Sequence, residues 1–341
     1  MKHAVLLAVV MGMFASMSAA NAKSLQLDAE YLQPSGAIMT FAGGQEIIDP
    51  YFPTKALLTA SDTGMNINVP AMGWINWMLA RQEPDGLFSV FCQDPDIRDY
   101  RPCIMADADD SMMAMWVELL YRMAPKEGMP ASWRQSLRKA QAQLDGLYNR
   151  ETGVYFISQL MPVGLLMDNI EIYASMKRSA QEAKRIGEKQ QAALFSAKAA
   201  QLRVGIIKNF WDPEKKMFRA STQPRADYVF YPDIVAQLMP MLHGFDLNVA
   251  GPPNEFYSAW MRDHHKEWTD LIGKDYPWGL VAVVATQHDD METASCWLQQ
   301  AEPHRRTGPW NVLDEAAFQS VQWSVQKKWP GGIPACQKVD S

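Results

Sequence analysis

Hydrophobic and polar positions divide the chain into two kinds of helical segment. Residues 131–148, 188–211, 254–271 and 289–301 are rich in charge and carry a single apolar stripe. Residues 71–82, 110–124, 168–180, 233–243, 278–287 and 314–326 are apolar nearly all round or sparsely charged. A helix with one apolar stripe lies at a surface, and a helix apolar on every side is buried. The two kinds largely alternate along the sequence. An outer ring half in solvent, wrapped around an inner ring covered on both sides, produces that alternation. The expected fold is all-α, an (α/α)6 barrel of six helical hairpins, in preference to an irregular helical bundle.

Short hairpin turns punctuate the pattern. The helix from Trp133 to Tyr148 ends in Asn149-Arg150-Glu151-Thr152-Gly153-Val154-Tyr155-Phe156. The one from Gln190 to Trp211 ends in Asp212-Pro213-Glu214-Lys215-Lys216-Met217-Phe218, and Glu83-Pro84-Asp85-Gly86 stops the helix that Pro70 opens. Each is a helix, then an acidic turn, then an aromatic residue, and Pro, Gly and Asp in these positions end helices. A repeated helix–turn unit fits a toroid of hairpins.

The first 22 residues change the picture of where the chain works. A basic Met1-Lys2-His3, an apolar run from Ala4 to Phe14 and an Ala20-Asn21-Ala22 ending describe a secretory signal peptide. The run is too short to span a bilayer. Its removal leaves 319 of the 341 residues, expected to form one catalytic domain, 23–341, with 23–69 as an N-terminal arm of extended chain and short helical pieces. One lysine and no acid are lost, so the net charge moves from −6 to −7. Nucleic acid is excluded as a partner, because it calls for a basic footprint. A periplasmic or secreted monomer is expected. Cys92, Cys103, Cys296 and Cys336 all lie in the mature part, an even count that suits disulfides in an exported chain. Cys92 and Cys103 bracket a polar loop and are paired on that ground; Cys296–Cys336 follows by elimination. The spacings fit no zinc pattern. His264-His265 sits on a charged outer helix, and no Gly-rich phosphate loop, nucleophile elbow or His-Glu-x-x-His occurs, so neither metal nor cofactor is expected.

If the inner helices run parallel, their N-termini share one face. Asp107, Asp109 and Asp110 stand at the second of them, and Asp168, Asn169 and Glu171 at the third. Asp227, Tyr228, Phe230, Tyr231 and Asp233 open the fourth, Asp275, Tyr276 and Trp278 the fifth, and Trp310, Asn311, Asp314 and Glu315 the sixth. Gly73-Trp74 after Pro70 supplies the first. Acids near helix starts commonly serve as N-caps, and Asp110-Ser111 suits that role. Glu171 is different: it lies within the apolar turn Ile170-Glu171-Ile172-Tyr173, where a carboxylate is costly without a partner or a task.

The alternating helices, the acid-then-aromatic openings and the Asp-x-x-x-Gly-x-Phe-like turns resemble the six-hairpin glycosidase superfamily, from about Pro70 to Lys328. The likeness is one of architecture, with no family signature matched residue for residue. It implies a glycoside hydrolase acting on a poly- or oligosaccharide at the mouth of the toroid, with inversion. Such chemistry needs a carboxylic acid to protonate the leaving oxygen and a carboxylate to activate water. Glu171 is assigned as the acid and Asp107 or Asp110 as the base, with Asp314 and Glu315 in reserve. Asp109 and Asp168 complete the acidic set. Tyr228, Tyr231, Trp278 and Trp310 are the candidates to stack on sugar rings.

Three other readings compete. Asp107-Ala108-Asp109-Asp110 resembles the acid motif of class II terpene cyclases, in which Asp109 would protonate an alkene; Gln82-Glu83-Pro84-Asp85-Gly86-Leu87-Phe88 resembles their repeat. A polysaccharide lyase would need cations at the mouth, for which Arg225 is the candidate. A non-catalytic carbohydrate-binding or assembly protein would keep the aromatics and lack a facing pair of acids.

Overall fold

The computed structural model describes residues 23–43, 47–94, 96, 99–106, 109–223, 228–247 and 251–336. Asp107, Asp227 and Arg225 lie outside the described residues. The chain is mostly helical. A short strand β1 (Ile47–Ile48) precedes α1 (Tyr51–Asp62) and α2 (Asn68–Leu79). Strands β2 (Val90–Asp94) and β3 (Asp99–Ile104) lead into α3 (Asp109–Met123) and α4 (Ala131–Leu147). A two-stranded turn, β4 (Tyr148–Asn149) with β5 (Val154–Tyr155), joins these to α5 (Leu166–Arg185) and α6 (Lys189–Phe210). A second such turn, β6 (Trp211–Asp212) with β7 (Met217–Phe218), precedes an irregular rod, Phe230–Leu238, that runs into α7 (Met239–Leu242). Then come α8 (Pro253–Thr269), α9 (Gly279–Gln287), α10 (Met291–Ala301) and α11 (Val312–Lys328).

Six of these rods close a ring. Helix α1 packs on α3, α3 on α5, α5 on α7, α7 on α9, α9 on α11, and α11 back on α1. The N-terminal ends of α1, α5, the irregular rod, α9 and α11 supply the walls of one cleft. The outer helices lie over the gaps: α4 on α3, α6 on α5, α8 against the irregular rod, and α10 on α9 and α11. The charge-rich segments are the outer ones, as the pattern of polarity requires.

The first hairpin departs from expectation. The segment read as the first inner helix, 71–82, forms α2, which packs on α3 and α4 and leaves Val69 and Met72 exposed. The first inner rod is α1, within the stretch read as an arm, and it is buried from Pro53 to Ala60. Trp74 is therefore a core residue of an outer helix, its indole N–H donating to Thr54 Oγ1 at 3.1 Å. The rest of the arm lies along α11, where among the described residues no twelfth helix follows. Gln26 and Gln319 exchange hydrogen bonds of 2.9 and 2.8 Å, and the Val312 N–H donates to the Thr40 carbonyl at 2.8 Å.

The hairpin turns are built alike. Asn149 Oδ1 accepts the backbone N–H groups of Glu151 and Thr152, and Asp212 Oδ1 those of Glu214 and Lys215. Such side-chain turns are what these residues do best at a break. An amide side chain then clamps each turn to an inner rod. Asn169 bonds both backbone groups of Tyr155, at 2.8 and 3.0 Å, and Gln237 both of Phe218, at 2.8 and 2.7 Å. Gly205 of α6 meets the first turn so closely that a Cβ there would run into the Gly153 carbonyl. Disulfides join Cys92 to Cys103 across β2 and β3, and Cys296 of α10 to Cys336. Among the described residues no helix is long and apolar enough to cross a membrane.

Candidate active site

The inner N-termini enclose a cleft of two lobes. One, of about 260 Å³, lies between Trp278, Asp314, Tyr276 and the irregular rod. The other, of about 210 Å³, lies over Asp168, Asp49 and Pro232. Tyr51, Phe52, Met167 and Tyr231 line both, so the two lobes adjoin across a shared wall.

Behind one wall sits a buried polar cluster. Glu171 is covered, and its Oε1 accepts hydrogen bonds from Tyr51 Oη at 3.0 Å and from Lys55 Nζ, which also donates to Tyr51 Oη at 2.7 Å. Lys55 is itself buried and forms an ion pair with Glu171. Burial, and then the Glu171 charge, hold the Tyr51 phenol well above its ordinary range. Asp110 completes the cluster. It is wholly buried and accepts the Ser111 N–H at 2.8 Å. Desolvation first, and then the Asp168 charge, push its carboxyl well above the usual carboxylate range. Asp168 lies in the first turn of α5 and faces the cleft. Thus Asp110, Asp168 and Glu171, from two rods, come together as one group.

The opposite wall is organised around Pro277-Trp278-Gly279. The Pro277 carbonyl accepts the indole N–H groups of Trp268 and Trp297, at 3.0 and 3.3 Å. This anchorage accompanies a left-handed backbone at Trp278, φ +48°, which a bulky residue adopts only where its surroundings impose it. The Trp278 ring stacks on Tyr231, with centroids 5.0 Å apart and planes at 28°. Next door, the Gly279 N–H donates to Asp314 Oδ1 at 3.1 Å. Asn311 caps α11 by accepting from the Leu313 and Asp314 N–H groups, so the Asp314 side chain is not needed as a cap. Asp314 lines the cleft with its Oδ2 unbonded to protein, and burial raises its pKa to about 7.

The remaining candidates are elsewhere. Asp109, one residue from Asp110, turns to a separate hollow with Glu83 and Asp85. Lys215 Nζ donates to the Tyr228 hydroxyl and lies over its ring, beside Asp212 and Arg219. Trp310 is core: its ring stacks on Trp297 and meets Phe318, leaving no face for a ligand. Glu315 is held by Arg305 and Gln319, a structural engagement. The sequence does not point to Tyr51 or Lys55 as neighbours of these acids, and Tyr276, named at the fifth opening, is not among the stacking candidates. A lone lysine in the apolar run Lys55-Ala56-Leu57-Leu58 was the one signal available for α1.

No protein-family model and no curated protein matches the chain. Solved structures do. It superposes on the GH63 mannosylglycerate hydrolase of Thermus thermophilus in complex with glucose, with TM-score 0.54 and 12% identity over 87% of this chain and 97% of that one. The fold is that of the six-hairpin glycosidase-like toroids. Another with this toroid is a D-mannose isomerase, at TM-score 0.52 and 8% identity over 88% of this chain and 94% of that one. A rhamnosidase from Klebsiella oxytoca with rhamnose bound matches at TM-score 0.50 and 11% identity, over 80% of this chain. The present chain spans 57% of that rhamnosidase's length. The toroid thus carries more than one sugar chemistry, and identities this low speak for the fold alone.

Proposed function

We propose that the protein is an exported glycoside hydrolase that cleaves a poly- or oligosaccharide by carboxylate acid/base chemistry with inversion. One observation carries the reading: carboxyl groups from two different rods, Asp168 of α5 and Asp314 of α11, line two adjoining lobes that share Tyr231, which stacks on Trp278. Two acids on separate walls with flat rings between them are what glycoside hydrolysis needs. The two disulfides and the leader-like first 22 residues support export.

The surroundings distribute the roles. Asp314, raised to about 7, keeps its proton below that pH and gives it to the leaving oxygen. Asp110, pushed up by burial and by the Asp168 charge, keeps a proton, and Asp168, which lines the cleft, is the base. Asp168 takes a proton from water, the water oxygen bonds to the anomeric carbon, and the glycosidic bond breaks. Glu171 accepts from both Lys55 and Tyr51, so it serves to position that wall, and the proton comes from Asp314. Turnover then falls as pH rises through about 7, where Asp314 loses its proton.

The geometry gives the rival readings less. Asp109 and Asp110 face different surroundings, so they do not act as one alkene-protonating motif. Lys55 is committed to Glu171, which weakens a lyase that must neutralise a uronate. The purified mature protein should release reducing ends from at least one of a panel of glucans, uronans and amino-sugar polymers. Binding without release across that panel would replace the hydrolase with a carbohydrate-binding protein.

A further inference from the structure

The larger lobe continues below the mouth into a chamber unsuited to sugar. Its lower walls are Val235, Leu238 and Leu242 of the fourth rod, with Val281 and Val284 of α9. Every carbon of a sugar ring bears a hydroxyl or ring oxygen that needs a partner, and these side chains offer none. The polar groups of the lobe, Lys55, Asn311 and Asp314, belong to α1 and to the start of α11. Its aromatic rings, Tyr51, Phe52, Tyr231, Tyr276 and Trp278, stand at the starts of the rods.

The space exists because one rod is irregular. The fourth rod passes from a π-helical turn through a 3-10 turn into four residues of α-helix, with Pro232 and Pro240 in its path. Proline removes a backbone donor and displaces the turn before it. Such a rod cannot set regular ridges into the grooves of α9, as the continuous helices of the ring do. Protein interiors otherwise close to the density of crystals, so an open apolar void joined to a mouth is a place for a ligand.

We infer that this chamber receives an aliphatic chain, making the substrate an oligosaccharide whose reducing end is bonded to an alkyl or lipid-like tail. The head group lies between Asp168 and Asp314, and the tail passes Trp278 to lie against Val284 and Leu238. The inference rests on the sugar-cleaving reading for the head group; the tail rests on the chamber walls.

The test is calorimetric binding of a methyl-to-octyl series of n-alkyl glycosides, below micelle-forming concentrations, with cleavage of the same series followed in parallel. Affinity should rise about fourfold per added methylene until the chamber is full. Val284→Phe and Leu238→Phe, from opposite walls, should each flatten that slope. Equal affinity for methyl and octyl glycosides overturns the chamber, even if both are cleaved. A slope without cleavage supports the chamber and counts against the hydrolase instead. Should both variants fail to fold, the slope of the unaltered protein still decides.

Discussion

Lys55 illustrates how a residue can be misread at its own scale. A lysine in an apolar stretch suggests a surface, yet here it is buried because Glu171, more than a hundred residues later, meets it. Neither charge would be tolerated alone, and nothing local announces the match. Glu171 was legible as an anomaly for the same reason that its partner was not: a carboxylate between two isoleucines has no innocent explanation. Lys55→Met leaves that carboxylate buried and unpaired, and should cost about 3–5 kcal/mol in denaturant unfolding. Lys55→Met combined with Glu171→Met should recover most of the loss, and failure to recover would show that the pair is not the unit it looks.

Asp314 makes a second residue-scale prediction. Its folded pKa of about 7 stands above the ordinary 3.8, so the folded protein keeps a proton that the unfolded chain releases. Stability from this group is therefore greatest below about pH 4, falls as pH rises, and reaches its full penalty above about pH 7. Asp314→Asn retains the acceptor for Gly279 and removes the titration. It should raise the unfolding free energy at pH 8 by an amount on the order of a few kcal/mol, and the gain should shrink toward pH 5. An equal gain at both pH values would contradict the raised pKa.

Among elements, helix polarity was the readable property. Boundaries of α3, α4, α6 and α8 to α11 follow within two residues from apolar spacing with turn residues at their ends, while α5 runs on past the expected 180 to Arg185 through a charged last turn. The exchange of α1 and α2 has a physical cause. Helix α2 carries the large Trp74, Trp77 and Met78, buried where it packs on α3 and α4, while α1 is buried through threonines, alanines, Leu57, Leu58 and an ion pair. Spacing draws the fourth rod as a helix over 233–243 but does not draw its irregularity, since its turns change type every few residues. The clamps between hairpin turns and inner rods are long-range and equally silent in sequence. Asn169→Ala should cost about 2–4 kcal/mol, because it strips both backbone groups of Tyr155 of their partner inside the fold. Hydrogen exchange should then rise first at Val154 and Tyr155; a uniform rise would mean that the turn is not held by this clamp.

At the scale of the whole molecule, six rods aligned alike bring to one cleft residues as distant in sequence as Tyr51 and Asp314. Closure of the ring by α11 on α1, with the arm over α11, makes that cleft a property of the complete domain. The helix openings name acids and aromatics at one face; which acids line the cleft depends on side-chain direction, which puts Asp314 in it, turns Asp109 to another hollow and holds Glu315 against Arg305. In the proposed reaction Asp314 delivers a proton to a leaving oxygen and Asp168 activates water. The direct measurement compares Asp314→Asn with the unaltered protein on two glycosides of the cleaved sugar, one with an alkyl leaving group and one with an activated aryl group. The alkyl glycoside should lose about 10²–10⁴ in rate, and the aryl glycoside, whose leaving group needs no proton, far less. An equal loss on both, or no loss on either, would contradict it.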